Sequence, residues 1–537
     1  MKVTIKVFLT IIVAIFFINS TVYALPDSYN FEINGDKFDE ISGIILPNAN
    51  QIAIVSTSWN PNVRTGIPEC NGLTEGGGLC GNGDIYLTII DIASQRQVSQ
   101  ILLADDNAEG ILNQEYASII YNSLKDEYLV AWQELPANTS RFNYNGYEGS
   151  FEVGYDIYAQ RIKIQNGQVS KLGSKSLVSN AQDSQWVPQI AYNKDNNEYL
   201  LTWHDHRNRG AIGVDPQKDI YAQILGFDPQ GQLYRKGSNF VITKEGTSNA
   251  KYYQEYSGLI YDESTKHYIV LWHDSRTTKT NTNTTAEIWG QILDKDANFI
   301  GTNVPVVRTN EGIRSSAFVK LHNIPNSANY FISWDQVDEV QNRSIGFAVL
   351  DPELKIITIE DGIKKSAISL TGSSVISNSS CNANYCEVLW REGSFIQSVI
   401  KHLSTTSYVE GINVDFGTHV NNTLSLSTSN LTVSMFVGSG ALNFYVTSDI
   451  PSIPEPPIVS KCTKYDLNND DKVTIMGDFT KFLLEFSNPA VNSVADFSNP
   501  KDGKVDIVDF VMFRNALYQY AVTKSCDVSV LETEFRP

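Results

Sequence analysis

One phrase recurs along this chain of 537 residues, and it constrains the fold more than any other feature. An apolar strand, a turn with Asn, Asp or Lys, and a strand ending in Trp follow one another in YASIIYNSLKDEYLVAWQE, VPQIAYNKDNNEYLLTWHD and YSGLIYDESTKHYIVLWHD. FVKLHNIPNSANYFISWDQ and the stretch ending in EVLWRE are weaker copies. A pattern that returns at a regular interval indicates one structural unit used many times.

The repeat predicts a mainly β protein with the architecture of a β-propeller. The strand-ending tryptophans are separated by 73, 71, 69, 62 and 56 residues, and they are Trp59, Trp132, Trp203, Trp272, Trp334 and Trp390. A second signature strand follows most of them, as in Asp156-Ile157-Tyr158. Four short strands per unit, without a helical period, are typical of a propeller blade.

The number of blades depends on a degenerate last unit near residues 413–449. In that unit LTVSMFV places Phe436 where the other units have tryptophan. We therefore expect seven blades, with six as the alternative. The early strand YNFEIN is expected beside the last blade, because closing the ring removes exposed strand edges.

Acidic residues follow the tryptophans, and two copies add an arginine, Arg207 and Arg276. A catalytic group is needed once, so a repeated acid and arginine predict a structural pair at a fixed turn, with catalysis as the alternative. No carboxylate pair for glycoside hydrolysis stands out, and the catalytic residues stay unassigned. The acids expected at equivalent positions are Glu134, Asp205, Asp274, Asp335 and Glu392.

Long loops after the second strands are expected on the same face as the connections between blades. Long loops on a rigid scaffold commonly carry recognition. Their aromatic residues suit the stacking of sugar rings or the binding of an extended peptide, although packing of loop against loop explains them equally well. The candidate ligand-binding residues are Tyr144, Tyr147, Tyr155, Trp186 and Tyr253.

The first residues predict export of the protein. Lys2 and Lys6, an apolar run from Val7 to Ile18, and Val22-Tyr23-Ala24 follow the plan of a signal peptide over residues 1–24. The apolar run is too short to span a membrane. We expect a secreted or cell-surface protein. Its net charge of −19 repels phosphate backbones, which argues against nucleic acid as a partner.

Six cysteines fall into three local pairs, which in an exported chain predict disulfides. A metal site is the weaker alternative, because the sequence contains no CxxC pair. The predicted pairs are Cys70 with Cys80, Cys381 with Cys386, and Cys462 with Cys526.

Phrases such as YLVAW followed by DIYAQRI resemble a group of secreted bacterial propeller repeats over residues near 40–410. The resemblance implies the fold and says little about activity. The expected organisation is a propeller over residues 25–449, a proline-rich linker over 450–461, a second module over 462–527 and a tail over 528–537.

The second module consists of two similar units, DLNNDDKVTIMGDFTKFLLEF and DFSNPKDGKVDIVDFVMFRNALYQY. Each joins an oxygen-rich loop, suited to Ca²⁺, to an amphipathic helix. Over about residues 464–520 the units resemble a type I dockerin, which implies a small α-helical domain that binds calcium and a cohesin-like partner. The implied ligands are Asp466, Asn468, Asp470, the Lys472 carbonyl and Asp478, then Asp496, Asp502, the Lys504 carbonyl and Asp509.

The module departs from the dockerin pattern at several places. Gly477 stands at the twelfth place of the first loop, and Ser498 and Pro500 open the second. The partner-contact positions are apolar, Ile475-Met476 and Ile507-Val508, which favours a different partner or the propeller itself. The alternative is a calcium-free pair of helices held by Cys462 and Cys526.

The leading functional prediction is a non-enzymatic binding or adhesion protein. Its propeller would recognise a polysaccharide or protein, and its tail would dock it to a partner. The alternative is a polysaccharide-degrading enzyme, a glycoside hydrolase or a lyase, because dockerins are commonly attached to such domains. A purely structural surface propeller is a third interpretation.

Overall fold

In the computed structural model, the described residues all lie in the first 448 positions. They are 28–34, 40–47, 51–60, 82–104, 111–136, 154–208, 218–243, 253–276, 286–308, 313–338, 343–363, 377–392, 395–403, 408–415, 420–428, 431–438 and 441–448.

The described strands form seven four-stranded antiparallel sheets, so the prediction of a seven-bladed β-propeller is confirmed. Blade 1 consists of β2 (Ile41–Ile45), β3 (Gln51–Asn60), β4 (Asn82–Asp91) and β5 (Arg96–Ala104), and blade 2 of β6 (Ile111–Asn122), β7 (Glu127–Pro136), β8 (Asp156–Gln165) and β9 (Gln168–Ser179). Blade 3 consists of β10 (Gln185–Asn193), β11 (Glu198–Asp205), β12 (Asp219–Phe227) and β13 (Leu233–Val241), and blade 4 of β14 (Gln254–Asp262), β15 (His267–Asp274), β16 (Glu287–Asp294) and β17 (Phe299–Val307). Blade 5 consists of β18 (Ile313–Asn323), β19 (Tyr330–Asp338), β20 (Arg343–Leu350) and β21 (Ile356–Ile363), and blade 6 of β22 (Ser377–Cys381), β23 (Tyr385–Glu392), β24 (Phe395–His402) and β25 (Tyr408–Asp415). Blade 7 consists of β26 (Val420–Ser427), β27 (Leu431–Gly438), β28 (Ala441–Ser448) and β1 (Ser28–Asn34).

The ring closes as predicted. Strand β1 pairs antiparallel with β28, with Phe31 opposite Phe444, and thereby becomes the outermost strand of blade 7. The first strands of neighbouring blades contact one another around the ring, so β2, β6, β10, β14, β18, β22 and β26 are the innermost strands.

The turns between first and second strands show why Asn and Asp recur there. Asn122 Oδ1 accepts hydrogen bonds from the backbone N–H groups of Leu124 and Lys125. Asn193 Oδ1 does the same for Asp195 and Asn196. Such Asx turns fold the chain tightly and fix the register of the hairpin.

The tryptophans fill the seams between blades. Trp203 is fully buried and belongs to one apolar cluster with Leu129, Ile157 and Val178 of the preceding blade. Phe436 shares a cluster with Leu389 and Ile396 of blade 6, as expected for the residue in the tryptophan position. Each large buried side chain contributes about 2 to 3 kcal/mol through the hydrophobic effect.

Trp59 is not equivalent to the other tryptophans, and the prediction that it belongs to the series is wrong. Trp132 lies opposite Tyr158 in blade 2, whereas Ser56 lies opposite the matching Tyr86 in blade 1. Strand β3 continues past this point, which places Trp59 opposite Gly83. The seam between blades 7 and 1 is filled by Met435 and Phe444 among others, so it needs no indole at that position.

The Cys381–Cys386 disulfide is confirmed and links the facing ends of β22 and β23. The chain divides into two units, residues 1–448 and 449–537. The signal peptide, the linker, the dockerin-like module and the residues Cys70, Cys80, Cys462 and Cys526 lie outside the described residues. In the described part of the chain, no helix is long and apolar enough to cross a membrane.

Candidate functional site

The repeated acids accept hydrogen bonds from the indole N–H groups of the tryptophans, and we call each such contact a clamp. The Trp203 indole N–H donates to Asp205 Oδ2 over 2.7 Å, and Arg207 Nε and a terminal nitrogen of its guanidinium donate to the two carboxylate oxygens over 2.9 and 2.6 Å. Blade 4 repeats the arrangement, with Trp272 and Arg276 on Asp274. In blade 2, Trp132 donates to Glu134 over 3.0 Å. These contacts agree with the structural role predicted for the repeat.

Asp335 does not occupy the clamp position, so its assignment to that set is wrong. The Trp334 indole N–H donates to Gln336 Oε1 over 3.0 Å. Asp335 follows Trp334 directly and therefore points to the opposite face of β19. Of Glu392, only the backbone lies within the description.

The residue directly after the tryptophan varies among blades 2 to 6, with histidine in both blade 3 and blade 4. In order, it is Gln133, His204, His273, Asp335 and Arg391, and all five are buried. Gln133 Oε1 accepts a hydrogen bond of 2.9 Å from the Val187 N–H in the next blade. Because the clamps repeat and this position varies, we regard it as the carrier of blade-specific chemistry.

Four consecutive innermost strands carry a β-bulge next to this position. The bulged residues with positive φ are Tyr116 at 53°, Val187 at 56°, Tyr256 at 50° and Phe318 at 54°. Left-handed backbone is strained for a β-branched residue such as Val187. Bulges are common beside functional sites, where they redirect a side chain.

The variable residues and the bulges build what we call the axial cluster. Its members are Trp186, His204, Lys218, Tyr253, Glu255, Tyr256 and His273. The Lys218 ammonium lies 5.5 Å from the centre of the Trp186 ring and 5.6 Å from that of Tyr253. The Tyr155 and Trp186 rings are 6.4 Å apart, edge to face. The structure thus brings together three of the five predicted ligand-binding aromatics, while Tyr144 and Tyr147 lie outside the described residues.

A chain of polar contacts runs through the cluster. Lys218 forms an ion pair with Glu255, whose Oε2 lies 3.2 Å from His273 Nε2. The Tyr256 ring stands between those of His204 and His273, at 5.4 and 5.5 Å. Phe318 of blade 5 packs against the same tyrosine at 4.5 Å.

Burial decides the charges in this cluster. It lowers the pKa of His204 far below its usual value and that of His273 to about 4, and it lowers the pKa of Lys218 to about 8. Both imidazoles are therefore neutral at pH 7. Nδ1 of His204, Nδ1 of His273 and Nε1 of Trp186 are buried and have no hydrogen-bond partner among the described residues. Unpaired buried polar atoms are rare and call for a functional explanation.

The sequence analysis missed Asp156, the first residue of β8. Burial, and next to it the charge of Glu134, raise the pKa of Asp156 to about 7. A signal was present in the sequence, because Pro136 stands where two other blades have Arg207 and Arg276.

No group of three or more His, Cys, Asp or Glu side chains within the described ranges is arranged to hold a metal ion. All nine predicted calcium ligands lie outside those ranges, so their prediction stays untested.

Comparisons with known proteins give similarities to solved structures only. No protein-family model and no curated protein matches the chain. The polysaccharide lyase Uly1 has a TM-score of 0.42 and 7% identity over 78% of this chain and 99% of its own. The Dos1 propeller has a TM-score of 0.38 and 10% identity over 78% of this chain and 94% of its own. An α-L-arabinofuranosidase from Lactobacillus brevis has a TM-score of 0.35 and 8% identity over 60% of this chain and 94% of its own. At these identities the similarity describes the propeller alone.

Proposed function

We propose that this chain is a polysaccharide-cleaving enzyme, a glycoside hydrolase or a lyase, that works on the loop-rich face of its propeller. The observation that carries the proposal is the axial cluster, in which neutral imidazoles stand among aromatic rings and a lysine–glutamate pair. This is the alternative function from the sequence analysis rather than the leading one.

The clamps and the axial cluster differ in how their polar atoms are satisfied. In the clamps, each indole N–H has an acceptor and each carboxylate a cation, as expected of architecture. In the axial cluster, Nδ1 of both histidines has no partner among the described residues. A neutral imidazole with a free lone pair can accept a proton from a substrate or a water.

A second candidate function is sugar binding without turnover. It is favoured by Trp186 and Tyr253, whose rings lie close to the Lys218 ammonium, because aromatic faces stack on sugar rings and a lysine donates to their oxygens. The same experiment separates the two functions.

The experiment incubates the secreted chain with a panel of neutral and uronate-containing polysaccharides. New reducing ends identify a hydrolase, and unsaturated products that absorb in the ultraviolet identify a lyase. We expect His273→Asn to lower the rate by about 100-fold, the usual contribution of one proton-transfer group. Tyr234→Ala, on the exposed side of β13, is the matched control and should not change the rate. Binding without products would indicate a sugar-binding protein rather than an enzyme. The absence of both binding and products would contradict both functions.

We further propose that the protein is secreted and that residues 462–527 form a dockerin-like module that binds Ca²⁺ and a protein partner. The support is the paired oxygen-rich loops of the sequence. Calorimetric titration of the full chain with Ca²⁺ tests this. The double variant Asp466→Ala, Asp502→Ala should lose the binding heat, and Asp296→Ala, an exposed propeller acid, should retain it.

A further inference from the structure

Three blades place two acids directly opposite each other at the loop-rich ends of their second and third strands. The pairs are Glu134 with Asp156, Asp205 with Asp219, and Asp274 with Glu287. Like charges in facing positions of a sheet destabilise it unless other groups compensate them.

In blade 3, both facing carboxylates have side-chain partners that offset their negative charge. Arg207 is bonded to Asp205 and lies over the Tyr221 ring, 4.0 Å from its centre. Asp219 accepts hydrogen bonds from Asn208 over 2.8 Å and from Thr243 over 3.4 Å. Both carboxylates of this pair therefore have hydrogen-bond partners, and burial still raises the pKa of Asp219 above its usual value.

Blade 4 compensates in a similar way. Arg276 donates to Asp274 and lies 4.0 Å from the centre of the Trp289 ring. The Trp289 indole N–H donates to Glu287 over 3.3 Å.

Blade 2 has lost each of these compensating groups around Asp156. Pro136 replaces the arginine, and Ala137 stands in the place of Asn208. Ser179 matches Thr243 in the register of the outer strands, but its hydroxyl donates to Asn239 Oδ1 over 3.0 Å. Glu134 keeps its partners, the Trp132 indole and the Lys175 ammonium.

Among the acids of these three facing pairs, Asp156 is the one without a neutralising partner in the described part of the chain. The carboxyl group of Asp156 has no hydrogen bond or ion pair with another described residue, and it is only partly buried. Next to burial, the charge of Glu134 is what raises its pKa to about 7. A carboxyl that carries a proton near neutral pH is what the general acid of a glycoside-cleaving site requires.

We propose that Asp156 is the proton donor of the loop-rich face, which protonates the glycosidic oxygen when the polysaccharide is hydrolysed. This inference rests on the proposed function and narrows it to hydrolysis. Asp156 follows Tyr155, so the acid begins the strand that also carries one of the gathered aromatics.

In the hydrolysis step, the bond between the anomeric carbon and the glycosidic oxygen breaks, and that oxygen takes the proton of the Asp156 carboxyl group. A water molecule adds its hydroxyl to the carbon and gives its other proton to a neutral imidazole of the axial cluster, which passes it to solvent, and solvent returns a proton to the Asp156 carboxylate. The acid is restored, and no oxidant or further reactant is consumed.

The repeat supplies its own matched controls for the test. On the panel polysaccharide that the wild type hydrolyses, Asp156→Asn should lower kcat by about 100-fold. Asp219→Asn and Glu287→Gln, in the other two blades, should lower kcat by less than about 3-fold, since hydrogen bonds from neighbouring side chains already occupy both carboxyl groups.

The pH profile separates an acid from a merely structural residue. Wild-type kcat should fall as the pH rises through about 7, because the acid loses its proton. Pro136→Arg should restore a guanidinium near the pair and move this decline to lower pH. An unchanged profile in Pro136→Arg would count against the assignment.

A stability measurement gives a readout without a substrate. The raised pKa means that ionising Asp156 costs free energy in the folded state, so the wild type should lose stability relative to Asp156→Asn as the pH rises from 4 to 8. A parallel pH dependence in both proteins would overturn the inference. Cleavage by Asp156→Asn at the wild-type rate would also overturn it and leave the proposed function intact. No cleavage by the wild type would overturn both.

Discussion

At the scale of single residues, two neighbouring positions after each tryptophan have different tasks. The second position, occupied by Asp205 or Asp274, accepts from the indole and binds an arginine. The first position points to the other face of the strand and holds glutamine, histidine, aspartate or arginine in different blades. The second position therefore serves structure in this chain, and the first position contributes His204 and His273 to the candidate site.

We predict that Asp205→Ala destabilises the propeller by about 3 kcal/mol, because it leaves the buried Trp203 N–H without an acceptor and the Arg207 guanidinium without its anionic partner. Gln336→Ala, at the neutral clamp of blade 5, should cost only about 1 kcal/mol. Urea unfolding of both variants measures the difference. Equal losses would show that the charge at the clamp does not matter.

The sequence predicted the pairing of Asp205 with Arg207 because these residues are two positions apart and repeat in blade 4. It misplaced Asp335 because WDQ and WHD look alike until the register shows that Gln336 accepts from the indole. It missed Asp156 because its raised pKa depends on what three distant positions lack, which no local motif reveals.

At the scale of elements, hairpins and their turns were readable from the sequence, whereas the bulges were not. Asn122 and Asn193 mark tight turns by a local mechanism, the Asx turn. The bulges at Tyr116 and Tyr256 lie on innermost strands that contact those of the neighbouring blades, a tertiary setting that the local sequence does not show. The axial cluster depends on those bulges and could therefore be predicted only in part, through its aromatics.

We predict that removal of the Cys381–Cys386 disulfide by alanine at both positions lowers the free energy of unfolding by about 2 kcal/mol. The bond closes a short loop of the β22–β23 hairpin, and a small loop restricts the unfolded chain only modestly. Urea unfolding of the variant, beside the wild type with and without reductant, measures the loss. A loss above about 5 kcal/mol would indicate a role in the native packing of blade 6.

At the scale of the whole molecule, the ring is a cycle that the chain closes with its own N-terminal strand. The seventh sheet takes three strands from residues 420–448 and the fourth from β1. The unit around Phe436 was recognisable from its LTVSMFV strand, and the closing strand from the general need to remove edges. The departure of Trp59 shows that spacing alone identifies blades without fixing their register.

We predict that deletion of residues 25–34 opens the ring at its seam. The edge of β28 would lose its antiparallel partner over seven paired positions from Ser28 to Asn34. Hydrogen exchange followed by mass spectrometry should show faster exchange in β28 than in β12, an interior strand of blade 3 that serves as the internal control. Equal protection in the deletion variant and the wild type would show that closure contributes little.

The balance of buried titratable groups predicts the pH dependence of the whole propeller. Burial lowers the pKa of four histidines, to about 4 for two of them, so between pH 4 and 6.5 the unfolded chain binds more protons there and stability rises with pH. Three acids with raised pKa values, Asp156, Asp219 and Glu387, act in the opposite direction, because the folded state binds their protons more tightly. The histidines concerned are His204, His273, His322 and His402.

Since the four histidines outnumber these three acids, we expect the free energy of unfolding to increase from pH 4 to about 6.5 and to flatten towards pH 8. Urea unfolding at a series of pH values measures the curve. His273→Asn should reduce the rise between pH 4 and 6.5, because it removes one group that must be neutral in the folded state. His267→Asn, outside this buried set, is the control and should leave the slope unchanged. Stability that falls from pH 4 to 6.5 would mean that the acids dominate, which would contradict the neutral axial imidazoles on which the proposed active site depends.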